Sequence, residues 1–347
     1  MNENCDVKSN PWLHRFAVLT AVATFLLLGA GGLVTSHEAG MSVPDWPNSY
    51  GYNMFAFPPS KWIGGIFYEH THRLWASAVG MMTTILAVWL WLKDSRRWMK
   101  WIGLAAFLGV VAQGVLGGLR VTLKMDDLGI LHGVVGQTFF VLMCAIALFT
   151  SGVWQKVSGR KLSVPRGLRT LVLATTVLIF CQLILGATMR GQHAGLAIPD
   201  FPAAYGQIWP DTSAAAVARY NADSANPNII TPFQIILQMV HRLVALTIFI
   251  CVATCAVKAW RQLGVRDPLA KFALFWLALI MVQIGLGAWT IWSDKAADIA
   301  TAHVLGGALS LVTGALWCII AFGRSVKIQE AETAAFGAFG ALAAKKR

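Results

Sequence analysis

Eight long apolar stretches constrain this chain more than any other feature of its sequence. A membrane-spanning helix needs about 20 mainly apolar residues, and stretches of that kind lie at 16–36, 68–92, 101–120, 129–151, 171–190, 232–257, 272–292 and 299–322. Hydrophobic residues make up 56% of the chain and charged residues 13%, whereas soluble domains carry about 25% charged residues. The sequence therefore predicts an all-α membrane protein with eight transmembrane helices.

The formal net charge of +12 would also suit a nucleic-acid-binding protein, but the positions of the basic residues indicate another origin. Lys and Arg are concentrated near the N-terminus, in 93–100, 156–169 and 258–271, and after Arg324, while the alternate connections contain few. Cytoplasmic connections of membrane proteins are enriched in Lys and Arg. We therefore expect no nucleic-acid partner, and an integral, multi-pass protein of the inner (cytoplasmic) membrane with both termini in the cytoplasm.

The chain contains an internal repeat. Residues 39–51, after the first predicted helix, and residues 194–206, after the fifth, are identical at seven of thirteen positions with a constant offset of 155. The helices that follow these two segments match each other at offsets of 169 to 171. Self-similarity of this kind indicates a fold built from similar structural units.

The repeat divides the chain into a four-helix half at 16–153 and a second at 171–323, joined by a basic linker at 154–170 and flanked by cytoplasmic tails at 1–15 and 324–347. Both halves begin on the same side of the membrane, so we expect parallel repeats related by an axis along the membrane normal. Short connections favour antiparallel neighbours. The prediction is two up-down four-helix bundles side by side.

Four histidines occupy matching places near the outer ends of helices two, four, six and eight. They are His72, His132, His241 and His303. Two imidazoles from facing helices are a usual pair of axial ligands for heme iron. The residue one turn further along the same helix face is small in every case: Ala76, Gly136, Ala245 and Gly307. This leaves room for a flat macrocycle and predicts a heme site in each half.

Two other interpretations of these histidines are open. They could be polar groups hydrogen-bonded between helices, with the small residues serving close packing. They could also bind zinc, but only two histidines converge in each half and no acidic or thiol residues complete a tetrahedron. His70, close to the first of the four, could assist at the first-half site.

The carboxylate before the first histidine distinguishes the two halves. Glu69 stands one turn before His72, and Gln238 takes the same place before His241. A site that only holds an electron-carrying heme needs no carboxylate there, whereas oxygen chemistry can use one for proton delivery. Glu69 is therefore a candidate catalytic residue. The alternative is a structural role, in helix capping or in an ion pair with Arg73.

Arg73 and Arg242 each follow one of these histidines directly. Arginines at the end of a membrane helix commonly anchor the helix at the lipid headgroups. A guanidinium fork also suits a carboxylate, so both arginines are candidates for contacts with heme propionates.

These motifs together resemble those of the heme A synthase family. The resemblance rests on Glu-x-x-His-Arg at 69–73, His-Arg-Leu at 241–243, the single histidines that open helices four and eight, and the eight-span repeat, and it covers about residues 16–322. It implies an enzyme that oxidises the C8 methyl of heme O to a formyl group by successive hydroxylations. The product, heme A, would serve the assembly of a terminal cytochrome oxidase.

The resemblance also assigns roles to residues. It implies that His241 and His303 hold a resident heme b in the second half, that His72 and His132 hold the substrate heme, and that Glu69 is the catalytic carboxylate. Some members carry a cysteine pair in the first outer loop, whereas residues 37–67 contain no cysteine. This favours the cysteine-free branch of the family.

Further partners follow from the same resemblance. They are the substrate heme O, a membrane or soluble electron donor, and heme O synthase and terminal oxidase assembly factors, with a homo-oligomer left open. The main rival function is a di-heme electron-transfer protein resembling a cytochrome b subunit, which would need no Glu69. A transporter built from parallel repeats is a third reading, but its polar path should reach both faces of the membrane.

Overall fold

The computed structural model describes residues 10–158, 164–223 and 229–344 and contains ten α-helices in that part of the chain. They are α1 Pro11–Ser36, α2 Gly65–Lys93, α3 Arg97–Thr122, α4 Asp126–Thr150, α5 Gly152–Ser158, α6 Arg166–Gly191, α7 Ala214–Asp223, α8 Pro232–Leu263, α9 Pro268–Trp292 and α10 Ala297–Ala344. Three short 3₁₀ helices lie between them, at Met54–Ala56, Pro59–Lys61 and Ala194–Leu196.

Eight of these helices are long and apolar enough to cross a membrane, which confirms the predicted fold class. They are all but α5 and α7, and in α10 the apolar part is Ala297–Gly323. The ends differ from the prediction by a few residues. Helix α1 begins at Pro11, within the predicted tail, and α10 continues as a helix to Ala344, beyond the predicted end at 322. The rest of the predicted tails, at 1–9 and 345–347, and the linker residues 159–163 lie outside the described residues.

Local sequence explains where several helices start. Asn10 accepts hydrogen bonds from the second and third residues of α1, Thr231 forms a capping box with Gln234 at the start of α8, and Asp267 caps α9. A proline follows each of these three caps. Proline fits the first helical position because its missing N–H would have no partner there.

The eight long helices contact one another in two rings, while their division into two parallel-repeat bundles stays a prediction. Helices α1, α2, α3 and α4 contact one another in a closed ring, in which α1 also meets α4. Helices α6, α8, α9 and α10 form a second such ring, and α1 and α4 contact α6 and α10 between the two. Phe140 packs against Ala308 and Val312 at this junction. A symmetry axis along the membrane normal stays a prediction.

The two long connections at the histidine end of the helices share a matching turn. The first loop, residues 37–64, and the second loop, residues 192–231, each contain an aspartate that accepts hydrogen bonds from two successive backbone N–H groups. Asp45 binds Tyr50 and Gly51 in the first loop, at 2.7 and 2.8 Å. Asp200 binds the matching residues of the second loop at the same two distances. The sequence repeat is thus also a repeat of backbone structure.

Candidate functional site

The structure places the four histidines in the first three turns of α2, α4, α8 and α10, at the loop end of each helix. The ring centroids of His72 and His132 lie 6.4 Å apart, with the rings nearly perpendicular at 81°. Two imidazoles bound to one metal, at about 2 Å per bond, would have centroids roughly 6 Å apart. The first pair is therefore spaced to share a metal ion.

A glycine of the neighbouring helix lies against each imidazole. A Cβ atom on that glycine would stand only 3.1 to 3.3 Å from the imidazole Cε1. The four pairs are Gly31 with His72, Gly117 with His132, Gly186 with His241, and Gly287 with His303. Because any side chain there would press on the ring, these glycines fix how close the histidine helix can approach.

These glycines cannot be found from the sequences of the histidine helices, because they lie on the preceding membrane-spanning helices α1, α3, α6 and α9. The signal that could have found them is the repeat itself. Gly31 and Gly186 are separated by 155 residues, and Gly117 and Gly287 by 170. These offsets equal those of the loop repeat and of the later helices.

Three of the four histidines are also held through their backbone. Glutamine side chains donate to the carbonyl oxygens of His132, His241 and His303, at 3.2, 2.8 and 2.7 Å respectively. His72 has no such partner among the described residues, because Leu27 stands where the repeat would place the glutamine. The ligand candidate beside Glu69 is therefore held less tightly than the other three.

The alternative of histidines hydrogen-bonded between helices is not found. Within the described residues the four imidazoles make no hydrogen bond, and their Nδ1 atoms are buried without a partner. Buried polar groups normally have partners, so these rings are not held by polar packing. In the same part of the chain no three His, Cys, Asp or Glu residues come together as a metal site. The donor set of each half thus suits an axial pair better than zinc.

Glu69 is buried, with 4% of its surface exposed. Its Oε2 accepts a hydrogen bond from the backbone N–H of Val43 at 2.8 Å, and its Oε1 pairs with Arg73 at 2.6 Å. The ion pair suggested by the sequence is therefore present. Gln238 makes the matching loop contact, with its Oε1 accepting from the N–H of Ile198 at 2.7 Å. The two halves share this anchor and differ in its charge.

Arg73 and Arg242 bind the loops, a role that the sequence did not suggest. Arg73 donates to the carbonyl oxygens of Asp45, Asn48 and Val43, at 2.6, 3.1 and 2.7 Å. Arg242 donates from its two terminal nitrogens to the carbonyls that match the first two, those of Asp200 and Ala203. Both guanidinium groups thus hold the loop over the end of their helix. Propionate contacts for them stay a prediction.

His70 is fully buried beneath the first loop. Its Nδ1 lies 3.1 Å from the Ser49 hydroxyl, and its ring packs against those of Phe57 and Trp62, with centroids 4.9 and 4.7 Å away. Met239 stands at the matching position of the second half. The structure thus places His70 in the core of the loop, where it supports the cover of the first-half site.

Comparison with known proteins identifies the family of this chain. Residues 14–315 match the COX15-CtaA family model, described as cytochrome oxidase assembly protein. The chain belongs to the COX15-CtaA family. This confirms the family expected from the motifs at 69–73 and 241–243.

Relatives within the COX15-CtaA family are similar over nearly their whole length. A protein of Lysinibacillus sphaericus (strain C3-41) named heme A synthase is 24% identical over 317 residues, which cover 90% of this chain and 96% of the relative. One of Geobacillus kaustophilus (strain HTA426) with the same name is 26% identical over 296 residues, or 84% and 86% of the two chains. A third, of Bacillus cereus (strain 03BB102), is 24% identical over 327 residues, or 93% and 96%.

Proposed function

We propose that this protein is a heme A synthase that oxidises the C8 methyl of heme O to a formyl group by successive hydroxylations. The relatives with that name support the class of enzyme. The observation that carries the proposal is the pair His72 and His132, 6.4 Å apart, with the buried carboxylate of Glu69 one helical turn before His72. The product would be heme A for a terminal oxidase.

In this proposal the two halves hold hemes with different roles. His241 and His303 hold a resident heme b, and His72 and His132 hold the substrate heme O. The bound heme supplies electron transfer and oxygen chemistry, while the protein supplies ligands, orientation and electrostatics. The glycines and glutamines around the second-half pair restrain both of its histidines, as suits a permanent site. The weaker restraint on His72 suits a site that must admit substrate and release product.

Glu69 provides the charge that the second half lacks. Each of its oxygens has one partner in the structure, and an ionised carboxylate can accept about four hydrogen bonds. Glu69 can therefore accept or deliver a proton at Oε1 or Oε2 while Val43 and Arg73 hold it in place. General acid–base groups of this kind contribute typically 10²–10⁴-fold to a rate.

The first loop would exclude water from this chemistry. Val43 and Phe57 are buried in it, with at most 3% of their surface exposed. The Trp46 ring lies against α3, where it fills the space that a Cβ on Gly118 would need. A closed cover strengthens electrostatic interactions inside a site. Arg73 connects this cover directly to the helix that carries Glu69 and His72.

We further propose the cellular setting that the basic residues indicate. Both termini would be cytoplasmic in the inner (cytoplasmic) membrane, so the two loops and both histidine pairs would lie at its outer side. The partners would be heme O, an electron donor, heme O synthase and oxidase assembly factors, with self-association as a further contact.

Heme extraction tests the proposed function. A cell that makes heme O but lacks heme A is given this protein, and its extracted hemes are separated by chromatography. Heme A is expected only when the protein is present.

The rival di-heme electron carrier is favoured by the near-identity of the four glycine–histidine contacts. That rival predicts two permanently bound hemes in the purified protein and heme O alone in the extract.

A further inference from the structure

Two arginines near the first histidine pair, one from each half of the chain, lack a close carboxylate partner among the described residues. Arg120 lies in the last turn of α3 and Arg190 in the last turn of α6. The nearest acid to Arg120 is Asp126, at 3.9 Å and with 78% of its side chain exposed. A contact of that kind contributes little. Both guanidinium groups therefore keep a positive charge that no carboxylate of the described residues balances.

Arg120 is fitted between glycines. A Cβ on Gly40 of the first loop would lie 2.6 Å from both Nη1 and Nη2 of Arg120, and a Cβ on Gly129 of α4 would lie 2.8 Å from its Nε. Gly129 is one turn before His132, and Gly117, which touches the His132 ring, is one turn before Arg120. The guanidinium thus lies about one helical turn from the His132 imidazole, on its loop side.

Arg190 reaches the same region from the second half of the chain. Its Nη2 donates to the carbonyl oxygen of Gly32 and to the hydroxyl of Ser36 on α1, both at 2.7 Å. Gly32 follows Gly31, which touches the His72 ring. Arg120 thus lies near the His132 ring and Arg190 near the glycine that touches the His72 ring, and these two rings have centroids 6.4 Å apart. The two arginines therefore border one site.

Neither arginine has an arginine counterpart in the other half of the repeat. The repeat places Thr290 where Arg120 would be, and Thr35 where Arg190 would be. The Nε of Arg120 is buried and has no hydrogen-bond partner. Partly buried like charges without a counter-ion are unfavourable, so this arrangement favours an anionic ligand. Arg73, by contrast, is paired with Glu69 and with loop carbonyls.

We propose that Arg120 and Arg190 bind the two propionate carboxylates of the heme held between His72 and His132. This rests on the proposed function, which assigns the substrate heme to that pair. Guanidinium forks bind carboxylates with two hydrogen bonds and a defined plane. With its propionates held at the loop end, the macrocycle cannot turn about the axis between the two imidazoles. The orientation of the propionates then limits which methyl groups the site can present for oxidation.

Heme titration of the purified protein, with its resident heme bound, tests this assignment. The probes are ferric protoheme, which has two free propionates, and its dimethyl ester, which has none, followed by the change in Soret absorbance. Wild type is expected to bind the free acid at least 10-fold more tightly than the ester. The double variant Arg120→Gln, Arg190→Gln should lose that preference, because it binds the free acid more weakly and the ester as before. Arg120→Lys keeps the charge but not the planar guanidinium, so it should lose part of the preference for the free acid.

Arg219→Gln is the matched control, because it removes one exposed positive charge from the second loop. It should leave both affinities unchanged. Equal weakening of acid and ester in the double variant, or an unchanged preference for the acid, would overturn the assignment. Resident heme content reports folding of each variant, and the single variants repeat the test if the double variant lacks it. The titration measures no turnover. If the preference for the free acid depends on these arginines but the protein makes no heme A, only the proposed function is contradicted.

Discussion

For single residues, the comparison of Glu69 with Gln238 distinguishes the effect of the carboxylate charge from that of the hydrogen bond to the loop. Both accept a hydrogen bond from a matching loop N–H, at 2.8 and 2.7 Å. An amide therefore suffices to anchor the loop. The charge of Glu69 is left either for catalysis or for its ion pair with Arg73, and the two roles respond differently to mutation.

Glu69→Gln is expected to keep the fold and the resident heme while lowering heme A formation by roughly 10²–10⁴-fold, the usual contribution of a general acid–base group. The measurement is heme A formed per mole of resident heme, with heme O or a hydroxylated intermediate accumulating. If the carboxylate served only its ion pair, the yield of folded protein would fall and turnover on this scale would stay near normal.

Residue roles that depend on a neighbouring segment could not be predicted from the sequence. The positions of Glu69 and the four histidines could be predicted from spacing along single helices and from the repeat between the halves. The loop-binding role of Arg73 and Arg242 depends on how 37–64 and 192–231 fold back, which no periodicity encodes. The contact of Arg190 with α1 depends on packing between the two halves.

At the scale of elements, each histidine helix packs against a helix that offers a glycine. Gly287 and Gly285 on α9 provide a matched pair, because a Cβ on Gly287 would lie 3.1 Å from His303 Cε1 while nothing lies within 4 Å of one on Gly285. Overpacking costs about 1–3 kcal/mol, whereas alanine in open space favours the helix.

We therefore expect Gly287→Ala to weaken binding of the resident heme on the order of 10-fold or more, or to shift its low-spin spectrum. Gly285→Ala should bind heme as wild type does. Heme content and absorbance of the two purified variants provide the check. Equal behaviour of both would show that the close contact with His303 does not position the ligand.

The spans themselves could be predicted, and their ends less well. Lipid requires long apolar segments with all backbone groups bonded, so composition alone locates eight helices. The early start of α1 depends on the cap at Asn10 followed by Pro11, a local signal that hydropathy does not contain. The continuation of α10 beyond Gly323 occurs where its apolar stretch has ended.

At the scale of the whole molecule, the distribution of basic residues predicts its orientation. Single cysteines introduced at exposed positions of 93–100 and 258–271 should be labelled only from the cytoplasmic side of the membrane, and those in 37–64 and 192–231 only from the other side. Labelling of Arg266→Cys from the same side as Arg219→Cys would contradict the two-half scheme, since their segments flank opposite ends of α8.

We expect the two similar halves to hold hemes with different fates. His241→Ala and His72→Ala distinguish these fates, because they remove matching ligand candidates from the two sites. The measurement is the heme b absorbance of the purified variants together with the heme A that each forms in cells. We expect His241→Ala to lose most of the resident heme b, and His72→Ala to keep it and to form no heme A. Undiminished heme b in His241→Ala, or its loss in His72→Ala, would show that the two halves do not have these separate roles.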